Sequence, residues 1–545
     1  MKTDIFNAAA HAQAQRSSRK WLDKTLDKVF AEATARSPDK PALVAFRADR
    51  TGQSRRIAYR ELDVLVGRAA AGLRDLGVGR GDMVAVQLPN WWEFVVTTLA
   101  CARLHAVINP LIPIFREHEL RFMLEFSGAK VFIVPKVFRE FDHAAMAAAL
   151  KLQIPSLEHV VVVDGVGADS FEELLHRGEG GEIGTQASSD TQAGDLSLLM
   201  FTSGTTGQPK AVMHCDNTLI AGADALARRV ELTADEVLLC CAPIGHMTGF
   251  IAVMLQSLRL GATLVLQDVW EARRAVQIIA DEGVSYTVVS TPFLSDICDR
   301  VAAGDPKPQR MKKLMCGGAP IPPILVERAS RTLGIQVLSL WGMTESLGST
   351  VTDPARAADK SATSDGRALE GVAVRVVDDA GRSLEPGVTG RLEVRGALMF
   401  LGYFKRPDIV TFDGDGWFDT GDLAYMDAEG FIRINGRTKD VLIRGGENVP
   451  VFEIESVLHR HPAVLSTALV GYPDARLGER GCAFVELRPG ASFDLGIMQA
   501  WMAENKVAKQ YWPERVEVLP QLPRTPSGKI KKFVLSKQAL PFGQG

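Results

Sequence analysis

"LMFTSGTTGQPKAV", residues 199–212, gathers glycine, hydroxyl and lysine side chains into Ser203-Gly204-Thr205-Thr206-Gly207-Gln208-Pro209-Lys210. Glycine lets backbone N–H groups close on an anion, Ser203, Thr205 and Thr206 can donate to phosphate oxygens, and Lys210 adds a point charge. The spacing is not that of a P-loop, G-x-x-x-x-G-K-[ST], in which a hydroxyl directly after the lysine holds Mg2+. Gly204 and Gly207 are three apart, two residues separate Gly207 from Lys210, and Ala211 follows the lysine. Taken alone, the segment reads either as a phosphate-holding loop or as a Gly/Thr surface turn.

On the N-terminal side, helix-period and strand-like segments alternate. "YRELDVLVGRAAAGLRDLGV" has helical apolar spacing and ends at Gly77, and "DMVAVQLPN" follows as a strand. "WWEFVVTTLACARLH" then "AVINPL", "LRFMLEFSGA" then "KVFIVP", and "RAVQIIADEGV" then "SYTVVS" repeat the pattern. This alternation predicts α/β layering with largely parallel sheets. "HVVVVDG" is a continuous apolar run, as in a strand covered on both faces. From about residue 370, "GVAVRVVDDAGRSLEPGVTGRLEVRG" breaks into short strands with turn residues, which predicts an antiparallel subdomain. The remainder, with helix "FEIESVLHRH", strands "STALVGYPD" and "GCAFVELRPG" and helix "IMQAWMAENK", has the makings of a separate small α+β domain. The expected fold class is therefore α/β. A large N-terminal domain (20–438) of layered mixed sheets with helices and a small antiparallel β subdomain precedes a small α+β C-terminal domain (439–540). The polar, Gly-rich stretch 176–195 is expected to be a surface loop.

Composition is that of a globular chain: 46% apolar and 23% charged residues in 545. A net charge of −3 argues against bulk electrostatic binding to nucleic acid, though not against a local cationic pocket. Seven cysteines, an odd number with no C-x-x-C pair, favour neither a disulfide framework nor a structural zinc site and suit a reducing cytoplasm. The first 21 residues lack the apolar core of a secretory signal, and a mitochondrial transit peptide is the weaker alternative. The best candidate membrane segment, Phe94 to Phe115, is broken by Arg103, Asn109, Pro110 and Pro113, so a core helix followed by strand and turn is expected instead of a span.

Six further segments follow the opening loop in order: "CGGAPIP" (316–322), "WGMTES" (341–346), "GRLEVRG…GYFKRP" (390–407), "GWFDTGDLA" (416–424), "GRTKDVLIRGGENV" (436–449) and "PRTPSGKIKK" (523–532). With "SGTTGQPK" they resemble, over nearly the full length, the adenylate-forming superfamily of acyl-CoA synthetases, luciferases and peptide-synthetase adenylation domains. That resemblance implies an enzyme that joins a carboxylate to the α-phosphate of ATP, releases pyrophosphate, and passes the acyl group to coenzyme A with loss of AMP. Preorganised cations and N–H groups must neutralise like charges for this to proceed.

The resemblance also implies roles for individual residues. Thr202, Ser203, Gly204, Thr205, Thr206 and Lys210 would hold the β- and γ-phosphates. Thr344 would contact the α-phosphate, and Glu345 would be the Mg2+ carboxylate; read without context, that glutamate is a solvated surface acid. Gly318, Ala319 and Pro320 would lie against adenine, with Trp341, Gly342 and Met343 completing the nucleotide site. Trp341 stands where tyrosine is usual; either ring can stack on adenine, and a packed core Trp is the bland alternative. Asp422 would accept from the ribose hydroxyls and Arg437 would contact ribose or phosphate. Lys529, otherwise one lysine in a basic tail, would be the catalytic lysine bridging carboxylate and α-phosphate. Lys439 would be the hinge of a mobile C-terminal domain, and Gly445 and Gly446 would let pantetheine pass close to backbone.

For the acid, His246 in "PIGHMTG", Gly249 and Gly317 are the expected pocket residues. Amino-acid-activating relatives tend to carry aspartate after the histidine, whereas Met247 stands here, which favours an uncharged acid. The stretch 106–124 looks most like medium-chain and cyclohexanecarboxylate-type CoA ligases. Rival readings are an acyl-AMP ligase that loads a carrier protein, an aryl-acid CoA ligase, a luciferase-like oxygenase, and a non-catalytic nucleotide-binding scaffold. The hinge region has no extra segment of the acyl-AMP-ligase kind, and only a short tail follows Lys529, so no fused carrier domain is expected. The joint presence of Lys210, Glu345, Asp422, Arg437 and Lys529 argues against the scaffold. The expected partners are thus a small carboxylic acid, ATP with Mg2+, and CoA, with no nucleic acid and no membrane span; a homodimer is left open.

Overall fold

The computed structural model describes residues 8–50, 53–184, 193–202, 209–318, 321–409, 412–437, 442–444, 447–474, 476–525 and 528–544. Helix and strand alternate along the N-terminal part as the periodicity predicts. Helix Tyr59–Asp75 stops where Gly77 takes φ 78°, and strand Met83–Val86 follows. Helix Trp92–Leu104 is buried from Trp92 through Arg103 before strand Val107–Pro110, so the apolar stretch 94–115 holds a core helix and a strand. Among the described residues, no helix is long and apolar enough to cross a membrane.

Two large sheets carry the fold. The first runs, in spatial order, Gly402–Tyr403, Lys210–Cys215, Leu196–Thr202, Val107–Pro110, Met83–Val86, Val131–Pro135, His159–Val163. It is parallel from Leu196–Thr202 to His159–Val163 and antiparallel at the other side, where Lys210–Cys215 pairs with both neighbours. The "HVVVVDG" strand lies at an edge, yet both faces are covered: Val161 and Val163 enter one core cluster, Val160 and Val162 another. The second sheet has nine strands, in the order Arg367–Ala368, Leu347–Val351, Gln336–Met343, Lys313–Gly317, Tyr286–Val289, Val237–Cys240, Thr263–Gln267, Pro41–Phe46, Ser54–Ala58. Its middle is parallel and its edges antiparallel. Parallel neighbours Lys313–Gly317 and Gln336–Met343 therefore end on the same side, where open α/β sheets place ligands.

The change of texture near residue 370 corresponds to a four-stranded antiparallel sheet, Val372–Val377, Gly390–Gly396, Phe418–Met426 and Ile432–Arg437. Strand Leu442–Arg444 then pairs within a different sheet, with Glu447–Val449 and with Gly478–Leu487, which also joins Val464–Asp474 and Arg515–Leu519. Helices Val451–His459 and Leu495–Glu504 pack on this C-terminal sheet through Ile454, Leu458, Met498 and Met502. The 176–195 stretch is more than a surface loop. Ile183 is buried and its carbonyl accepts from the Arg103 guanidinium at 3.0 Å, while Arg103 is itself paired with Asp27 and Asp63.

Among the described residues, Glu93 and Asp216 are buried carboxyls that each have one oxygen without a hydrogen-bond partner. Glu93, in the first turn of helix Trp92–Leu104, has an unbonded Oε2, and burial pushes its pKa up to about 8. A carboxyl whose folded pKa lies above its unfolded value binds more protons folded than unfolded, so it costs stability progressively as pH rises from about 4.5 to about 8. Glu93→Gln is expected to gain stability relative to the parent as pH rises through that window, by at most about 1.4 kcal/mol per pH unit. Urea midpoints at pH 5 and pH 8 check this; a difference independent of pH would contradict it.

Candidate active site

The opening loop is the connection of a β-hairpin. Strand Leu196–Thr202 leads in, Lys210–Cys215 leads out, and Thr202 and Lys210 are register partners at its base. Ser203, Gly204, Thr205 and Thr206 lie outside the described residues. Alternation along the outgoing strand puts Lys210, Val212 and His214 on one face. Tyr403 is the register partner of Val212, and the Lys210 ammonium lies over its ring, 4.7 Å from the centroid.

"WGMTES" ends one strand and makes the turn to the next. Ser346 N–H closes it on the Met343 carbonyl at 3.1 Å, and Leu347 is left-handed at φ 58°. Gly342 must lack a side chain here, because a Cβ would overlap the Leu347 carbonyl oxygen. Three bonds hold this turn, two from strands of the first sheet and one from the segment leading into its edge strand. His214 Nε2 donates to the Thr344 carbonyl at 2.7 Å, Phe400 N–H to the Glu345 carbonyl at 2.8 Å, and Tyr403 O–H to Glu345 Oε1 at 2.8 Å. Burial pushes the His214 pKa down to about 4, so the ring is neutral, and a carbonyl as partner places its proton on Nε2. Burial and the neighbouring Glu345 carboxylate raise the Tyr403 phenol far above its usual range, which keeps it a donor. The described residues hold no cluster of three or more acidic, His or Cys ligands. A single oriented carboxylate is nevertheless the donor that Mg2+ accepts when phosphates and water fill its other positions, so Glu345 fits that ion.

Trp341 and Asp422 meet from different sheets. The indole Nε1–H donates to Asp422 Oδ2 at 2.9 Å, and both residues are buried. The ring packs among Val376, Leu392, Ala424 and Ile432, which makes it a support for the carboxylate more than an open stacking face. Asp422 is also the backbone register partner of Arg437, whose side chain lies outside the described residues.

Gly317 ends strand Lys313–Gly317, and a Cβ there would overlap the Leu340 carbonyl oxygen. Gly249 follows the His246-capped turn, where a Cβ would be 2.7 Å from the Ala242 carbonyl oxygen and would overlap that of Pro243. Backbone packing alone thus demands glycine at both positions. Gly318 is left-handed at φ 83°, and Lys529 Cε lies 3.7 Å from the place of its Cβ. The lysine reaches this point on a tight turn: Thr525 N–H donates to the Lys529 carbonyl at 2.7 Å, Lys529 N–H to Thr525 Oγ1 at 3.0 Å, and Gly528 is left-handed at φ 86°. Gly528 sits so close to Ser290 that a Cβ would be 3.0 Å from its hydroxyl. His246 is pushed down to about 4 by burial and then by the Lys529 charge, which puts that charge in its vicinity. Ala319, Pro320, Lys439, Gly445 and Gly446 lie outside the described residues.

The site thus brings Lys210, Thr344, Glu345, Trp341, Asp422, Gly318, His246 and Lys529 to the neighbouring ends of three sheets and one C-terminal turn. His214, Phe400, Tyr403 and Ser290 are contributors that motif reading passes over, whereas Gly528 belongs to the "TPSG" turn that the sequence offers as presenting Lys529. Tyr403 lies inside a quoted motif and His214 at strand period from Lys210, so both carried a signal; Phe400 and Ser290 carried none.

Residues 30–404 match the family described as AMP-binding enzyme, and residues 453–529 match the AMP-binding enzyme C-terminal domain. Among curated proteins, the chain is 35% identical over 541 residues to the medium-chain fatty-acid–CoA ligase of Escherichia coli K12, covering 99% of this chain and 94% of that one. It is 32% identical over 538 residues to the salicyl-AMP ligase / salicyl-S-ArCP synthetase of Mycobacterium tuberculosis, covering 97% and 93%. Among solved structures, ATP-bound MatB from Rhodopseudomonas palustris superposes with a TM-score of 0.83 at 28% identity, over 94% of this chain and 99% of that one.

Trp341→Phe keeps the packed ring and removes the donor to Asp422. It is expected to raise the KM for ATP about tenfold or more, since a hydrogen bond to a charged group is worth roughly 1.5–3 kcal/mol, with the KM for the acid unchanged. Steady-state kinetics with ATP and acid varied separately check this; equal changes in both would contradict it.

Proposed function

We propose, from the premise that this chain belongs to the adenylate-forming AMP-binding enzymes and is an AMP-forming acid–CoA ligase, that its acid is a medium-chain fatty or alicyclic one such as cyclohexanecarboxylate. The carrying observation is the position of Lys529: the C-terminal domain delivers it against Gly318 and near His246. An oxygen of the substrate carboxylate attacks the α-phosphorus as the bond to the β-phosphate breaks and pyrophosphate leaves. Lys529 bridges the carboxylate and α-phosphate oxygens, so charge is neutralised where it develops. Thr344 holds the α-phosphate, Lys210 and the hairpin hold the departing phosphates, and Asp422 and Arg437 hold the ribose. Glu345 would hold Mg2+, which would supply further neutralisation of the phosphates. In the second half-reaction the CoA sulfur bonds the acyl carbon and the C–O bond to AMP breaks. The chain ends one sheet at Arg437 and begins the next at Leu442. A hinge at Lys439 then lets the C-terminal domain exchange Lys529 for the Gly445-Gly446 loop.

The acid class draws support from the pocket chemistry. His246 is neutral, buried Met247 follows it, and Phe250 and Ile251 are buried next in the chain, surroundings that suit an uncharged acyl group. The Escherichia coli relative bears a medium-chain fatty-acid ligase's name. The Mycobacterium tuberculosis relative's salicyl specificity favours an aryl acid as the second reading, with a carrier-protein thiol in place of CoA. Seven buried, unpaired cysteines accord with a reducing cytoplasm.

Purified protein with ATP, Mg2+, CoA and linear acids of roughly C4 to C12, cyclohexanecarboxylate, benzoate and salicylate is expected to yield AMP and acyl-CoA, with the highest kcat/KM on a medium-chain or alicyclic acid. A preference for salicylate or benzoate would overturn the acid class. Lys529→Ala is expected to slow ATP–pyrophosphate exchange about a hundredfold or more, while CoA still consumes supplied acyl-adenylate within a few-fold of the parent rate. Equal losses in both half-reactions would contradict the lysine's role.

A further inference from the structure

Given the ligase reading above, on which this rests, we infer that His214 is a positioning residue that orients the Thr344 peptide and so ties the phosphate hairpin to the turn that faces the α-phosphate. The ring is fully buried. Its Nε2 donates to the Thr344 carbonyl at 2.7 Å, and its Nδ1 lies 3.0 Å from Thr218 Oγ1. That hydroxyl is itself fixed at the start of helix Asp216–Arg229, where it receives Cys215 N–H at 3.2 Å; with the ring proton on Nε2, its own proton goes to Nδ1, although the Cys215 carbonyl also lies within reach at 2.9 Å. Both ring nitrogens are therefore used, and the ring has one orientation.

The strand that carries His214 also carries Lys210, four residues back on the same face. The bond to Thr344 consequently sets where Lys210, on the strand that leaves the hairpin, stands relative to the turn that faces the α-phosphate. A peptide whose carbonyl is held inward presents its other side to the crevice. Glu345, next in the chain, is held the same way through its own carbonyl by Phe400 N–H at 2.8 Å. In-line transfer depends on such placement: a shift of about 1 Å in a positioning group can cost roughly a hundredfold in rate.

His214→Phe keeps the ring's bulk and leaves the Thr344 carbonyl without its donor. His214→Gln restores an N–H near the place of Nε2. ATP–pyrophosphate exchange, consumption of supplied acyl-adenylate by CoA, and thermal midpoints are measured on both variants and on the parent. The expected result is a fall in exchange rate of about ten- to a hundredfold for His214→Phe, with the KM for the acid and the rate of the CoA half-reaction within twofold of the parent. His214→Gln should recover most of the exchange rate. Exchange by His214→Phe at the parental rate would overturn the inference. So would equal loss in both half-reactions, or no recovery in His214→Gln at an unchanged thermal midpoint. If the parent exchanges with no acid of the panel, the ligase reading falls and this inference falls with it.

Discussion

The site depends on how the Thr344–Glu345 turn is held. This turn closes a hairpin of the nine-stranded sheet, but its carbonyls and its carboxylate are bonded by His214 and Tyr403 at the edge of the seven-stranded sheet and by Phe400 in the segment that leads into that edge strand. The three donors come from strand Lys210–Cys215 and from the segment paired with it. A displacement of either sheet would leave buried carbonyls and a buried carboxylate without donors, a cost of about 1–3 kcal/mol for each group and more for a charged one. The two sheets are thereby locked in a register in which Tyr403 carries the Lys210 ammonium over its ring and bonds the Glu345 carboxylate through its hydroxyl.

Close backbone approach is the second constraint. At Gly317, Gly342 and Gly249 a carbonyl oxygen occupies the space of a Cβ. These contacts let neighbouring strand ends and turns converge more tightly than side chains would allow. Left-handed Gly318 and Gly528 serve a different purpose: Gly528 shapes the turn that carries Lys529, and Gly318 leaves room for the Lys529 side chain. The Lys529 side chain packs over Gly318, where no side chain stands in its way.

Much of the fold was legible in the chain itself. The alternation of helical and strand periods gave the layered α/β body, and the Gly-rich turns after residue 370 gave the antiparallel sheet, because period and turn chemistry are local properties. The edge position of "HVVVVDG" was not legible, since covering layers, and not strand neighbours, determine an apolar run. Nor was the buried Ile183 within a polar, Gly-rich stretch, whose carbonyl serves an arginine 80 residues earlier.

The candidate site divides the same way. The sequence by itself determined the family, through seven motifs whose order and spacing carry the residue types that adenylation needs, and it nominated Lys210, Glu345, Asp422 and Lys529. Tertiary structure alone decided that Trp341 supports Asp422 through its indole N–H, that His214 and Phe400 hold a turn over a hundred residues or some fifty residues away in the chain, and that Lys529 meets Gly318. The physical reason is that a motif records which groups must be present. Which of them touch is set by the packing of sheets whose strands are distant in sequence, where one hydrogen bond between a buried ring and a buried carbonyl has no local signature.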